Sequence, residues 1–491
     1  MTARPRDPDP LTVSLVLFVI AFAARFAASS WLGGEPVWDG HYYDFGARRI
    51  AEGHGYSDDR LVMGQTVWHP WCHYPVGYSA YLAAFYATFG SSRVVASFAN
   101  ALVGGLLAVV VYLLGREGLS PLRARLAGAL VALHPGLVLY GALTMSEPLS
   151  ALVTMGAFWI AIASARRWPT RLAGFLGPAA GALVLGVGAL VRPQALLCAP
   201  LLALAIPPPR RSLVTWSVGA ALASVLALVP ILPWTARNCR VMDGCALVST
   251  NAGWNLAIGA FPRATGRFEG LHSSDGCREV TGQVQQDRCW LRYGLEHIRR
   301  DPIRWLSLVP AKLSYTFDHE SFAVEYLHEA RPAAFPEARR SAWREALTLF
   351  HRLLVVASPL GFVAFVPSVR SKSHRVQTAL LGATLAFAAF AFTRDVPVFW
   401  PIVLLACVLA AAPLRGRPEN HPALTLSAVL VATTALAHAV FFGEDRYHMA
   451  VVPALCLFAA AALRRPGAGA VEAAAMLDGR KTSVENAALH G

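Results

Sequence analysis

Between Val37 and Tyr78 the chain reads VWDGHYYDFGARRIAEGHGYSDDRLVMGQTVWHPWCHYPVGY, which sets Asp39, Tyr42, Tyr43, Asp44, His54, His69 and His73 among Trp and Tyr. Carboxylates, phenols and imidazoles are the groups that pass protons and hold polar ligands. Further along, Glu147, Arg192, Arg237 with Asn238, and Arg446 with Tyr447 each stand at the edge of an apolar run. Ionisable groups are costly beside hydrocarbon, so their gathering at one depth predicts a site. A carboxylate near guanidinium groups suits transfer from a phosphate-linked donor: the carboxylate takes a proton from an attacking hydroxyl while Arg forks neutralise the leaving phosphate.

Each of these residues also has a plainer reading. Asp39 is the expected base, and equally the N-cap of the helix that follows it. Tyr43 reads first as interfacial packing and second as a substrate contact. Asp44 pairs with Arg48 at i,i+4 and is expected to be solvated. His69 and His73 read first as structural loop histidines and second as groups for a metal or for substrate hydroxyls, and a zinc site lacks a third ligand. His73 is therefore retained as a substrate-side candidate, and no metal ligand is assigned. Glu147, in Ser146-Glu147-Pro148, also makes a good helix start. Arg192, Arg237 and Arg446 would serve equally as headgroup anchors, or satisfy carbonyls freed at a helix break. Arg25, inside the first apolar run, faces a cavity or a partner.

The elements that must position these groups are membrane helices. Hydrophobic residues make up 55% of the 491, charged residues 15%, and mean hydropathy is +0.45, which excludes an ordinary soluble domain. Apolar runs predict about twelve spans, near 11–31, 91–115, 122–141, 148–165, 172–190, 193–207, 212–232, 348–367, 376–392, 396–413, 422–441 and 447–463. The net charge of +13 is read as orientation and not as nucleic-acid binding. Arg116, Arg123 and Arg125; Arg166, Arg167 and Arg171; Arg210 and Arg211; Arg370, Lys372 and Arg375; Arg415 and Arg417; and Arg464 and Arg465 all fall on the side of the amino terminus, where Arg4 and Arg6 stand.

The expected organisation is a cytoplasmic segment 1–10, an amino-terminal transmembrane catalytic module 11–232 that includes an outer loop 32–90, a large outer loop 233–347, carboxyl-terminal transmembrane helices 348–463, and a disordered cytoplasmic tail 464–491. Of eight cysteines, Cys72, Cys239, Cys245, Cys277 and Cys289 fall in outer segments. Cys239 with Cys245 and Cys277 with Cys289 are candidate local disulfides, with crosswise pairing as the alternative. Residues 38–51 predict an amphipathic helix stopped at Gly53, with Asp39 and Tyr43 on one face. The run from Tyr78 to Phe89 predicts an interfacial helix, and Arg288–Arg299 and Arg304–Thr316 predict helices broken at Asp301-Pro302. There is no P-loop, G-x-G-x-x-G, H-E-x-x-H or internal repeat. Two other classes compete: a transporter or flippase of a lipid-linked anionic substrate, against which the grouping of charges at one face argues, and a non-catalytic membrane scaffold.

The pattern resembles the C-type (GT-C) membrane glycosyltransferases, in particular family 39, which groups protein O-mannosyltransferase and aminoarabinose transferase relatives. The resemblance is carried, in order along the chain, by WDGHYYDFGARRIAEGHGYS, YPVGY, GVGALVRPQALL, PWTARNCRVMDGCALVSTNAGWNLAIGAFPRATG and DRYHMAVVPAL. It implies an all-α integral membrane fold in the inner (plasma) membrane, with a juxtamembrane helical loop after the first span and the active site on the outer face. It further implies a sugar donor borne on polyprenyl phosphate, a glycan, lipid or protein acceptor, and inverting direct displacement with Asp39 as base. No cofactor is required, and a divalent cation is allowed. Glu147 falls where relatives often carry a second acid, and Arg192, Arg237 and Arg446 match positions that meet phosphate. The chain departs where the family's Asp-Glu is Asp39-Gly40 and its double proline is Pro75-Val76. Acceptor capture is assigned to 233–347.

Overall fold

The computed structural model describes residues 8–167, 173–206, 212–363, 372–393, 398–411 and 422–461. In chain order the first elements are α1 (Pro10–Leu32), α2 (Asp39–Ala51), a hairpin of β1 (Ser57–Val62) and β2 (Gln65–Pro70), α3 (Gly77–Phe89), α4 (Arg93–Arg116), α5 (Pro121–Leu133) and α6 (Pro135–Leu139). Then come α7 (Glu147–Arg167), α8 (Ala173–Val191), two 3-10 turns over 193–205, α9 (Leu213–Leu228), α10 (Leu232–Val241) and α11 (Ala252–Ala260). The last are α12 (Gln283–Arg300), α13 (Pro302–Ser307), α14 (Val309–Phe317), α15 (Phe322–Ala330), α16 (Glu337–Val363), α17 (Lys372–Phe392), α18 (Trp400–Ala411), α19 (Pro422–Val440), a 3-10 segment Asp445–Ala450 and α20 (Val452–Ala461).

Five of the described helices, α1, α4, α7, α8 and α19, are long and apolar enough to cross a membrane, or seven spans if α5–α6 and α9–α10, bent by 49° and 46°, each count as one. Four shorter apolar segments, including 193–205, α18 and α20, lie where further spans are expected. Arg4, Arg6, Arg171, Arg210, Arg211, Arg370, Arg415, Arg417, Arg464, Arg465 and the tail 464–491 lie outside the described residues. One apolar core runs from Leu107 of α4 through Phe158 of α7 to Val355 of α16 and Val431 of α19.

The bend between α5 and α6 explains Arg25. Pro135 cannot continue the ladder, and the carbonyls of Val131 and Ala132 accept instead from the Arg25 guanidinium at 2.8 and 2.9 Å. Arg25 is buried and faces a partner, the freed end of a neighbouring helix. It passes where Gly104 has no side chain, since a Cβ there would overlap Arg25 Cδ.

Helices α2 and α3 match their expected spans, and Gly53 (φ 87°) follows the end of α2. Asp44 is not solvated: Arg48 holds it at 2.7 Å, and the Tyr86 hydroxyl of α3 closes over it and donates to it. The hairpin is the exception to an all-helical reading, turned at Met63-Gly64, both with positive φ. Asp301 caps α13 by accepting from the Arg304 amide, and Pro310 opens α14, so the expected second helix is two. Cys239–Cys245 and Cys277–Cys289 are disulfide-bonded. The loop carrying them packs on the first one: Gln283 accepts from the Cys72 amide at 3.0 Å.

Candidate functional site

Helix α2 starts at Asp39, yet the Asp39 side chain is not spent on capping the helix. Its Oδ1 accepts from the Tyr74 hydroxyl at 2.6 Å and its Oδ2 from Arg446 Nη1 at 2.5 Å. Trp38 delivers it from a left-handed backbone conformation (φ 50°) that a bulky residue rarely adopts. The ring of Trp38 packs on Phe322 and Tyr326 of α15, with centroids 5.5 and 5.9 Å away, and so holds that turn.

Gly40 follows because Tyr326 occupies the space its side chain would need. A Cβ on Gly40 would overlap the Tyr326 hydroxyl and lie 3.0 Å from the Thr144 carbonyl. The departure from Asp-Glu is therefore built into the packing. Gly40→Ala is expected to destabilise the protein by about 1–3 kcal/mol, the range of overpacking, and Tyr326→Phe in the same chain should restore part of that loss. Thermal unfolding of the two variants in detergent checks this; an unchanged midpoint for Gly40→Ala would contradict the packing account.

Arg446 is brought to Asp39 by the 3-10 segment Asp445–Ala450, which is tied down on several sides. Asp445 accepts from the amides of Ser321 and Phe322 at the start of α15. Gly443 donates to the Gly266 carbonyl at 2.8 Å. Lys312 donates to the Ala439 and Val440 carbonyls at the end of α19, where a cation is favoured. Arg446 thus emerges with one orientation. Its Nη2 donates to the Tyr447 hydroxyl at 3.1 Å, and Glu444 Oε2 stands 2.6 Å from its Nε, an ion contact and not an aligned hydrogen bond.

A second ion pair sits beside the first. Glu147, at the start of α7 and 1% exposed, meets Arg192 Nη1 at 2.6 Å. Arg192 also donates to Ser146 Oγ at 3.4 Å, and the Tyr43 hydroxyl stands 3.3 Å from the same oxygen. Both guanidinium groups lie over the Tyr447 ring, Arg192 at 5.3 Å and Arg446 at 4.9 Å from its centroid. Tyr43 is buried, edge-on to Tyr74 and Tyr78, so its expected packing role is real while its hydroxyl points into the polar group.

The two carboxylates on Arg446 are tuned apart. Burial pushes Asp39 up, but Arg446, the Tyr74 hydroxyl and Arg192 outweigh it and hold Asp39 below its ordinary value. Burial, reinforced by nearby Asp39, Asp445 and Glu147, raises Glu444 to about 7 against the opposing pull of Arg446. Environments that separate paired carboxyls in this way mark acid–base sites. The Asp39 side chain is 22% exposed, so a ligand can reach it.

Arg237 and Asn238 make none of these contacts. Arg237 donates to the carbonyls of Tyr56 and Trp71 at 2.6 and 3.0 Å, and Asn238 to those of Ala246 and Val248. Their donors are committed to main chain, so they pin the loop behind Tyr74. His73 is half-buried, edge-on to Tyr74 and Trp254, and desolvation lowers its pKa. His69 lies on β2 opposite Asp58, apart from His73 in any helical sense. Sequence reasoning missed Tyr74, Ser146 and Glu444. Tyr74 falls inside the YPVGY stretch, and Glu444 stands two residues before Arg446 in GEDRY.

Residues 73–236 match the family described as dolichyl-phosphate-mannose-protein mannosyltransferase. No curated protein sequence matches. Among solved structures, the chain is similar to the oligosaccharyltransferase AglB from Archaeoglobus fulgidus in complex with an inhibitory peptide and a dolichol-phosphate (TM-score 0.46, 14% identity, 92% of this chain and 50% of that one). It is also similar to ArnT from Cupriavidus metallidurans in the apo state (TM-score 0.36, 17% identity, 91% and 78%), and bound to undecaprenyl phosphate (TM-score 0.34, 16% identity, 91% and 76%). The chain spans about half the length of the archaeal enzyme. The matched segment carries Tyr74, Ser146, Glu147 and Arg192, four of the residues gathered around Asp39 and Arg446, so the likeness of this multi-pass membrane protein to that family falls on the site itself.

Proposed function

We propose that the protein moves a sugar from a polyprenyl-phosphate donor to an acceptor hydroxyl at the outer face of the cytoplasmic membrane. The observation that carries this reading is the contact of Asp39 with Arg446 beside the Glu147–Arg192 pair. The acceptor O–H would give its proton to Asp39 as its oxygen bonds the anomeric carbon from one face. The bond from that carbon to the phosphate oxygen breaks on the other face, so configuration inverts and polyprenyl phosphate leaves. Arg446 and Arg192 would carry the charge that grows on that phosphate. Tyr74, raised by burial and by Asp39 and so kept protonated, orients the base. Tyr43, His73 and Tyr447 would line the sugar, with Arg237 and Asn238 holding the wall behind it. The outer-face assignment is supported by two disulfides in a loop packed on the site's own loop, since disulfides persist in oxidising compartments. The acceptor, a glycan, lipid or protein, would enter beside 233–347.

Incubation of the purified protein with a labelled polyprenyl-phosphate sugar should release polyprenyl phosphate. A transporter or a scaffold leaves the donor intact, and an intact donor across sugar types would overturn the proposal. The Glu444 carboxyl adds a pH signature. Below about pH 7 it is protonated and does not compete with phosphate for Arg446; above, its charge competes, so donor KM should rise as pH passes through about 7. Glu444→Gln, fixed in the neutral form, should flatten that rise. If the variant's KM climbs with pH as the wild type's does, Glu444 is not the titrating group.

A further inference from the structure

A second buried cluster lies behind the 3-10 segment, away from the carboxylate that meets substrate. Glu320 sits in the turn between α14 and α15, His351 on α16, and His448 two residues after Arg446. All three are almost wholly buried. His448 Nδ1 lies 2.7 Å from the Thr316 carbonyl and His351 Nε2 lies 2.8 Å from the Phe317 carbonyl. A carbonyl only accepts, so these nitrogens carry the hydrogens and the other nitrogen of each ring presents a lone pair. Those two nitrogens, His448 Nε2 and His351 Nδ1, make no hydrogen bond among the described residues, and neither does either oxygen of Glu320.

From this geometry we infer that Glu320, His351 and His448 hold a divalent transition-metal ion, with zinc the best chemical match. One ligand atom from each residue lies within 4.8 Å of the others. Two imidazoles and one carboxylate are a recurrent three-ligand set for zinc, at about 2.0–2.2 Å. Each histidine is oriented by a carbonyl on its far nitrogen, as metal-bound imidazoles usually are. Leaving this many polar atoms buried without partners is costly, and a cation removes that cost. Glu320 is also fixed in place, because it fills the space beside Gly136, where a Cβ would overlap its Oε1. Nearby His134 accepts from the Leu137 amide through Nδ1, so it presents an N–H and cannot be a ligand. The fourth position falls to water. Such an ion would clamp the 318–321 turn and α16 to the segment that carries Arg446, a positioning role separate from the transfer chemistry.

The test uses the full chain without an affinity tag, stripped with chelator and titrated with Co2+ and then Zn2+. The wild type should bind one equivalent, show the visible absorption of tetrahedral Co2+, lose it to Zn2+, and melt at a higher temperature with Zn2+. Glu320→Gln and His448→Gln should each weaken binding by more than the roughly 10–100-fold that loss of an outer hydrogen-bond partner costs, whereas His134→Gln should keep one equivalent. A folded wild type that takes up no Co2+ overturns the inference, as does equal binding in Glu320→Gln and His448→Gln. Either result leaves the glycosyl-transfer reading standing, because donor release is measured separately.

Discussion

Replacing Asp39 by Asn should lower turnover by about 10²–10⁴-fold, the range a general base contributes, with much smaller changes in donor KM and in folding. Asn has the same volume and still offers an oxygen to Tyr74, so the 2.6 Å contact can persist. What it cannot do is take the acceptor's proton. Its amide also turns N–H toward Arg446, which keeps Glu444 as a counter-ion, so the ion pair is weakened without stranding a buried cation. Because Asp39 is held below the ordinary carboxylate range, it stays ionised through the neutral region and gives no limb there. Any titration near pH 7 should therefore belong to Glu444, and in the residual activity of Asp39→Asn it should move to lower pH, because the Asp39 charge is one of the groups that raise Glu444. The measurement is release of polyprenyl phosphate by protein in nanodiscs, paired with thermal unfolding. Wild-type turnover in a folded Asp39→Asn protein would remove Asp39 as the base.

What could be read in the sequence was whatever short spacing controls. The helix from Asp39 to the stop at Gly53, the Asp44–Arg48 pair and the two local disulfides all depend on residues close in the chain. The meeting of Asp39 with Glu147, Arg192 and Arg446 was legible for a different reason. A membrane sorts ionisable groups by depth, so residues far apart in the chain are confined to one layer before any packing is known. Within that layer the sequence has no further power. Arg237 and Arg446 look alike as arginines after apolar runs, but one donates to the carbonyls of Tyr56 and Trp71 and the other to Asp39. Main-chain partners leave no mark in side-chain identity. Asp44 read as solvated because nothing local shows Tyr86 folding over it. The hairpin was missed because SDDRLV and QTVWHP do not alternate, and its signal was the positive-φ Met63-Gly64 turn. Glu320, His351 and His448 come from three segments whose approach is a property of the packed fold alone.

Arg446→Lys should cost turnover roughly 10²–10³-fold, the scale of removing one preorganised donor from a developing anion, while the protein still folds. The substitution keeps the positive charge, so Asp39 and Glu444 are not left as unpaired buried carboxylates, a loss that typically costs about 3–5 kcal/mol. It removes the fork. In the wild type Nη1 reaches Asp39, Nη2 the Tyr447 hydroxyl, and Nε stands against Glu444, and the guanidinium plane covers Phe322 and Tyr447 at 5.2 and 4.9 Å. A single ammonium on a flexible stem cannot hold those directions together. Arg446→Met should instead lower the melting temperature sharply, because both carboxylates then lose their cation. The pair of variants separates charge from geometry. If Arg446→Lys keeps wild-type kcat and donor KM, charge alone suffices, and the oriented guanidinium has no part in taking up the leaving phosphate. A double variant with Asp39→Asn sharpens the reading. The two residues touch, so their effects on kcat should combine to clearly less than their sum in free energy, whereas full additivity would mean that they act in separate steps.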